Sequence, residues 1–384
     1  MCGLQLVIQS LVILSSKVKE TFFSLLFEME WWKKKSLRAI IKRERLVRGH
    51  ERGGTLLEEI IKSCNGKANP IKIFSADQIL EATDTFSESN RVSELFDEIP
   101  YDWYYSGKNN NHHHHHKLLL IKKWRYRFSE HNGGNFCRDI AISSIVSGHK
   151  NFMQLVGCCL ESEHPVLVYR ASKKPTSLDL KMVVSWRQRL KIAEEIATAL
   201  AYLHTAFPRP FVYRILRLED ILLDDEDGVA KLCNFSYCVS IPQGETFVKL
   251  GNGCIGGDYD YMDDNYLING IVSEKTDAFG FGIFMQKLLM GEERFHELCY
   301  DRSDLTTFEN RRKFAKCIDE IVDSNMLEKI GDVTEEERCR MEAFIVLSER
   351  CIGLRGEVPK MVEVAKELKR FLRDSSSSCG ETSL

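Results

Sequence analysis

The chain has 384 residues, 43% of them hydrophobic, with 53 basic against 56 acidic side chains and a formal net charge of −3. That apolar content excludes a disordered chain and suffices for one large domain or two lobes around separate cores. The charge balance excludes a globally polycationic nucleic-acid binder, and eight prolines with 24 glycines exclude collagen-like or low-complexity character.

The segment Leu4 to Leu14 is apolar, interrupted by Gln5, Gln9 and Ser10, with no basic residue before it. It is too short to span a bilayer and lacks the charged start of a secretory signal. Gly3 comes one place too late for myristoylation. Composition changes sharply at Met29, where Glu-Trp-Trp-Lys-Lys-Lys follows. The expectation is that Met29 is the working start and residues 1–28 are an upstream extension. Residues 29–73 read as a basic arm: Lys33 to Arg52 carries nine Lys or Arg against two Glu, led by Lys33, Lys34 and Lys35. Leu37, Ile40, Ile41 and Leu46 recur near helical spacing. The arm is either a basic amphipathic helix attracted to acidic lipid or an acidic protein surface, or a solvated extension. A nuclear-localisation signal is the weaker alternative.

Residues 74–170 read as a small strand-rich lobe. Lys117–Trp124 and Pro165–Tyr169 are short apolar strands. Between them and the preceding strand, residues 107–117 form a loop expansion in which Asn109 to Asn111 runs into His112 to His116. Metal binding by that run is chemically possible, and a simple insertion is the plainer reading. The thirteen cysteines are dispersed, with no Cys-x-x-Cys pair and no zinc-finger spacing, which predicts reduced core thiols in a cytosolic protein. Adjacent Cys158 and Cys159 lie in an apolar run and read as small buried hydrophobes. Residues 171–372 read as a larger helical lobe. Trp186–His204 carries apolar residues at three- and four-residue spacing; Lys275–Met290 and Val358–Phe371 repeat the pattern. Residues 373–384 form a polar, flexible tail. Strands followed by helices make an α+β, two-lobed architecture.

Four short runs carry the functional signal. Leu118-Leu119-Leu120-Ile121-Lys122 ends an apolar strand in a lysine, and Asp139 follows on an apparent helix seventeen residues later. Then come Tyr213-Arg214-Ile215-Leu216-Arg217-Leu218-Glu219-Asp220, Lys231-Leu232-Cys233-Asn234-Phe235-Ser236, and Lys275-Thr276-Asp277-Ala278-Phe279-Gly280-Phe281-Gly282. In this order and spacing they resemble the protein-kinase fold from about Phe74 to Phe371. Phe74-Ser75-Ala76-Asp77-Gln78-Ile79-Leu80-Glu81-Ala82-Thr83, His149 to Cys159 and Ala201-Tyr202-Leu203-His204 resemble plant receptor-like kinases, specifically the cytoplasmic ones. With Cys64-Asn65-Gly66-Lys67 and His204-Thr205-Ala206-Phe207-Pro208, the chain is similar to the HopZ-ETI-deficient-related kinases. These are plant pseudokinases that serve as adaptors for a coiled-coil NLR immune receptor.

Phosphoryl transfer depends on positioning and charge neutralisation, so its parts can be checked one at a time. A glycine-rich loop must let backbone amides approach the phosphates. The alignment puts Asp97, Ile99 and Asp102 where glycines belong, and no glycine occurs between Val92 and Ser106. Ile215 stands where the general base belongs; a base contributes roughly 10²–10⁴ in rate, and isoleucine accepts no proton. The first metal position is Asn234, a neutral ligand, and the second is Asp220. The two read as a swapped pair that still holds one ion, or as a dead site. Lys122 and Asp139 read as a structural salt bridge. Where the family has Gly-Thr-x-Gly-Tyr and Pro-Glu, this chain has Gly257-Asp258-Tyr259-Asp260-Tyr261 and Asp264-Asn265, with no Ser or Thr between Phe247 and Asn265. The Arg that normally pairs with that Glu is Val358, so both partners of a buried ion pair are lost together.

The resemblance therefore implies a catalytically inactive kinase that requires no cofactor, with ATP and Mg²⁺ binding weak or absent. The partners it implies are an NLR receptor, receptor-like cytoplasmic kinases and a bacterial effector, with no nucleic acid. Acidic Asp258, Asp260, Asp263 and Asp264 and basic Lys33, Lys34 and Lys35 are the candidate contact residues. The location it implies is cytoplasmic, either free or at the inner face of the plasma membrane. The alternatives are a weakly active or ATP-binding Ser/Thr kinase, and a decayed gene product with no partner.

Overall fold

Helix α1 runs from Cys2 to Cys64 without a break, so the composition change at Met29 is not a change of secondary structure. A computed structural model describes residues 2–92, 101–106, 119–124, 135–171, 176–183, 185–224, 228–251, 261–299, 322–323, 326 and 334–377. Side chains from Lys33 to Glu44 that it describes are exposed. From Arg45 onward one face of α1 meets the rest of the chain. Arg45 pairs with Asp77 at 2.6 Å, and Arg52 donates to the carbonyls of Leu160, Ser162 and Glu163. Leu56, Glu59, Ser63 and Cys64 then lie on one helical stripe, and all four are buried.

The five-stranded sheet of the small lobe comprises β1 (Lys72–Ile73), β2 (Tyr101–Tyr105), β3 (Leu119–Trp124), β4 (Leu155–Cys159) and β5 (Val166–Arg170), in the order β1-β4-β5-β3-β2. Only β1 pairs in parallel, against β4. A side chain at Gly157 would place its Cβ 2.0 Å from the Lys72 carbonyl, so that approach requires glycine. Helix α2 (Ala76–Ala82) starts with a reciprocal Ser75–Gln78 capping box. Helix α3 (Phe136–Val146) lies against α1: Arg138 Nε donates to Glu59 Oε1 at 3.0 Å, and the Arg52 guanidinium sits over the Phe136 ring. Arg209, from the large lobe, donates to the Lys62 carbonyl at the end of α1.

The arm predicted over residues 29–73 is thus two things. Its second half is an integral layer of the small lobe that also touches the large one, because its stripe of Leu56, Ile60 and Cys64 joins the main core. A chain beginning at Arg48 is expected to unfold in urea within about 1 kcal/mol of the full chain, since the side chains from Lys33 to Glu44 are exposed and such positions contribute little. A chain beginning at Lys67 uncovers α3, and the lost burial of Leu56 alone is worth about 2–5 kcal/mol. Equal stability of the two truncations would show that α1 is not part of the fold.

The large lobe begins with β6 (Thr176–Ser177) and α4 (Trp186–Thr205), followed by β7 (Phe211–Val212), β8 (Ile221–Asp224), β9 (Val229–Leu232) and β10 (Val239–Ser240). Strand β11 (Phe247–Lys249) pairs with β12 (Ile271–Ser273) around α5 (Asp264–Asn269). Helices α6 (Glu274–Met290), α7 (Glu292–Cys299), α8 (Glu335–Cys351) and α9 (Met361–Ser377) follow among the described residues. The predicted helix from Val358 starts three residues later, after Pro359. It also continues to Ser377, so the predicted tail is helical over residues 373–377. Helix α6 is buried nearly throughout, and at Gly282 a Cβ would lie 2.6 Å from Ile352, which is how α8 approaches it. The loop expansion 107–117, with its histidine run, lies outside the described residues, between antiparallel β2 and β3.

Cys64, Cys137, Cys158, Cys159, Cys233, Cys238 and Cys351 are free and buried, and Cys339 is free and exposed. Burial pushes the thiols of Cys64, Cys137, Cys158 and Cys351 up to about 12, so at neutral pH they are protonated core side chains without nucleophilic character. No group of three His, Cys, Asp or Glu able to hold a metal occurs among the described residues.

Candidate functional site

The cleft between the lobes brings together four of the residues singled out in the sequence, and all four are 0–2% exposed. Lys122 on β3 places Nζ 2.7 Å from Asp139 Oδ2 on α3 and donates to Asn234 Oδ1 at 3.2 Å. Asp139 Oδ1 accepts the Phe235 backbone N–H at 2.8 Å. Asn234 Nδ2 donates to Asp220 Oδ1 at 2.9 Å, and Ser236 Oγ donates to Asn234 Oδ1 at the same distance. Arg217 closes the chain, with Nε 3.1 Å from Asp220 Oδ2 and Nη2 3.3 Å from Oδ1. The result is a ladder of alternating charge, Lys122–Asp139 and Asp220–Arg217, joined by the Asn234 amide.

Strand geometry explains the surroundings of the lysine. Trp103 lies opposite Lys122 across the β2–β3 pair, and Trp124 is two residues along, so period-two alternation puts both indoles on the lysine's face. The ammonium lies 4.8 Å from the Trp124 ring centroid and 6.0 Å from that of Trp103. Trp103 in turn packs on Tyr169, whose phenol burial holds well above its ordinary pKa.

This donor set does not fit a magnesium–nucleotide complex. A hard cation needs several oxygen ligands, and both Asp220 oxygens here accept N–H donors. The guanidinium of Arg217 supplies the positive charge that a metal would bring. Asn234 presents its amine to Asp220 and its oxygen to Lys122, so the swapped-ligand arrangement is used internally. Its positive φ of 64° is one that asparagine tolerates.

The catalytic loop keeps its frame without its chemistry. Asp277 at the start of α6 accepts the backbone N–H of Tyr213 at 2.8 Å and of Arg214 at 2.7 Å, and contacts His204 Nε2 at 2.8 Å. These bonds hold Arg214 at a φ of 78°, which a bulky residue adopts only when its surroundings enforce it. Tyr213, in the histidine position, donates to the Cys233 carbonyl at 2.6 Å and meets the Phe235 ring edge-on. Ile215 is 2% exposed and belongs to an apolar cluster with Val212, Tyr237, Ile241, Met262, Tyr266 and Val272. The base position has become core.

The Arg214 side chain reaches into the segment before α6, donating to the Tyr237 carbonyl at 2.9 Å and to the Tyr266 hydroxyl. Its guanidinium also sits over the Tyr266 ring, at 5.0 Å. Of the acidic contact candidates, Asp263 is the N-cap of α5, accepting the Tyr266 N–H at 3.1 Å, while Asp264 is exposed. Asp258 and Asp260 lie outside the described residues, as do Asp97 and Ile99. Asp102, at a glycine position of the lost loop, is within β2, half-buried and paired with Arg91 at 3.1 Å. Asn265 is exposed and Val358 half-buried. Lys33, Lys34 and Lys35 are exposed on α1, far along the chain from the cleft.

Sequence reasoning passed over Arg217, Trp103 and Tyr266. Arg217 carried a readable signal, its three-residue spacing from Asp220 in a turn of 3₁₀ helix. Trp103 and Tyr266 carried none, because each acts across a tertiary contact.

Residues 106–373 match the protein kinase domain family. A probable inactive receptor-like protein kinase of Arabidopsis thaliana is 52% identical over 379 residues, an alignment covering 93% of this chain and 96% of that protein. The inactive serine/threonine-protein kinase ZRK12 of the same plant is 52% identical over 345 residues, covering 90% of this chain and 82% of ZRK12. The non-functional pseudokinase ZED1, also of Arabidopsis thaliana, is 39% identical over 332 residues, covering 83% and 94%. No helix among the described residues is long and apolar enough to cross a membrane. With its base position in the core and its metal-site carboxylate bonded to Arg217, the chain belongs to the protein-kinase family as a catalytically inactive member of the plant HopZ-ETI-deficient-related group.

Proposed function

We propose that this pseudokinase is an adaptor in plant immune signalling. It holds an NLR receptor on one surface and receptor-like cytoplasmic kinases, or a pathogen effector acting on them, on another. The observation that carries the reading is the saturated cleft. Lys122, Asp139, Asn234, Asp220 and Arg217 bond to one another, so the kinase frame is stable without nucleotide and free to serve as a rigid binding surface. ATP and Mg²⁺ are not required, and nucleic acid is not a partner. The protein works in the cytoplasm, at the inner face of the plasma membrane.

The test is co-purification of the tagged full chain from plant tissue with candidate NLR receptors and cytoplasmic kinases, in the presence and absence of Mg·ATP. The expected result is recovery of both partners at equal yield under the two conditions, with radiolabelled phosphate transfer at background. Transfer abolished by Asp220→Ala would instead identify an active kinase. Absence of both partners would remove the adaptor role while leaving catalytic inactivity intact.

A further inference from the structure

The exposed stretch of α1 ahead of the small lobe has a chemistry that the kinase fold does not use. From Trp31 to Arg43 there is no acidic residue, and the six cations are Lys33, Lys34, Lys35, Arg38, Lys42 and Arg43. Leu37, Ile40 and Val47, at spacings of three and seven, share a face of the helix and are 57%, 51% and 48% exposed. The other side borders an open groove of about 640 Å³, lined by Arg38, Ile41, Lys42, Arg45 and exposed Leu46 against Asp77 and Glu161 and bridged by the Arg45–Asp77 pair. The outward face therefore combines three exposed aliphatic side chains with Lys33, Lys34 and Arg43, and carries one acidic residue, exposed Glu44, four residues beyond Ile40.

We infer that Trp31–Val47 is a docking helix for an anionic lipid surface. Three features select lipid over an acidic protein. First, an apolar face edged by cations lets the aliphatic groups enter the acyl boundary while the Lys and Arg stems carry their charges back to the headgroups. Second, Trp31 and Trp32 directly precede the lysine cluster in the sequence, the aromatic–basic pairing of a membrane–water boundary. Third, Trp31 is 51% exposed with Lys35 Nζ 4.9 Å from its ring, so the indole is presented to the surroundings and already carries a cation. With no helix among the described residues able to cross a bilayer, this attachment is peripheral and reversible. It is independent of the cleft, and does not rest on the adaptor reading.

The test is co-sedimentation of the full chain with vesicles of phosphatidylcholine alone and of phosphatidylcholine with phosphatidylserine. The expected result is selective binding to the serine-containing vesicles, weakening as salt is raised. The triple variant Lys33→Glu/Lys34→Glu/Lys35→Glu is expected to bind at least about a hundred-fold more weakly, at about five-fold per cation lost. Leu37→Asp/Ile40→Asp removes the apolar contact and is also expected to abolish sedimentation. All five positions are exposed, so both variants should melt with the full chain, which circular dichroism checks. Equal binding to neutral vesicles, undiminished binding by the triple variant, or capture by immobilised polyglutamate with no vesicle binding would each overturn the proposal.

Discussion

Substituting the missing base, Ile215→Asp, is expected to destabilise the protein by about 4 kcal/mol or more without restoring phosphate transfer. The isoleucine is 2% exposed among seven clustered apolar or aromatic residues, itself included. Its removal forfeits burial and leaves a cavity, and the new carboxylate is taken out of water there. Burial raises the folded-state pKa of such a group above its unfolded value of about 3.9. Between those two values the folded state binds more protons, so stability relative to the unsubstituted protein falls as pH rises, and the penalty is smallest in acid. Urea denaturation of the variant and parent at matched pH measures both size and sign. Ile215→Val, with an expected loss of about 0.5–1.5 kcal/mol, serves as the control. Recovery of catalysis is not expected because a base supplies only its own factor, while the cleft that would hold the nucleotide is occupied by its own side chains. A stable Ile215→Asp protein that transfers phosphate would refute this account of the cleft.

Lys122→Ala is expected to cost about 3–5 kcal/mol, again read by urea denaturation. Its partner Asp139 is wholly buried, and removing the ammonium leaves that carboxylate without its countercharge. Lys122→Met/Asp139→Leu removes both charges and should recover part of the loss. Recovery should be incomplete because Asp139 also accepts the Phe235 N–H and the Ser143 hydroxyl, which would then lose an acceptor. A double-mutant cycle isolates the coupling. A loss below about 1 kcal/mol for Lys122→Ala would mean that the kinase frame does not depend on the Lys122–Asp139 pair for its stability.

How much of this was legible in the sequence depended on range. The runs around Lys122, Tyr213–Asp220, Asn234 and Asp277 are each local, so their order identified the kinase architecture and their substitutions identified the losses. The helices from Trp186 and Lys275 were legible because their apolar spacing is periodic, and the start of the last helix was displaced by Pro359. The second half of α1 was misjudged. Arg48 and Arg52 read as part of a charge run, whereas their partners are carbonyls more than a hundred residues away. The Glu59–Arg138 pair spans 79 residues and the Arg214–Tyr266 contact 52, and nothing in the local pattern announces either.

By itself the sequence determined that this is a kinase fold without a glycine loop, a base or a metal-binding aspartate in its signature, since each of those needs a particular side chain at a particular place. Only the tertiary structure decided what the vacated positions became. Ile215 joined a core, Arg217 took the charge-balancing role at Asp220, and two indoles closed around Lys122. The physical reason is that a buried polar group must find a partner wherever the fold supplies one. Those partners come from strands and helices distant in sequence, which only the folded chain brings within hydrogen-bonding distance.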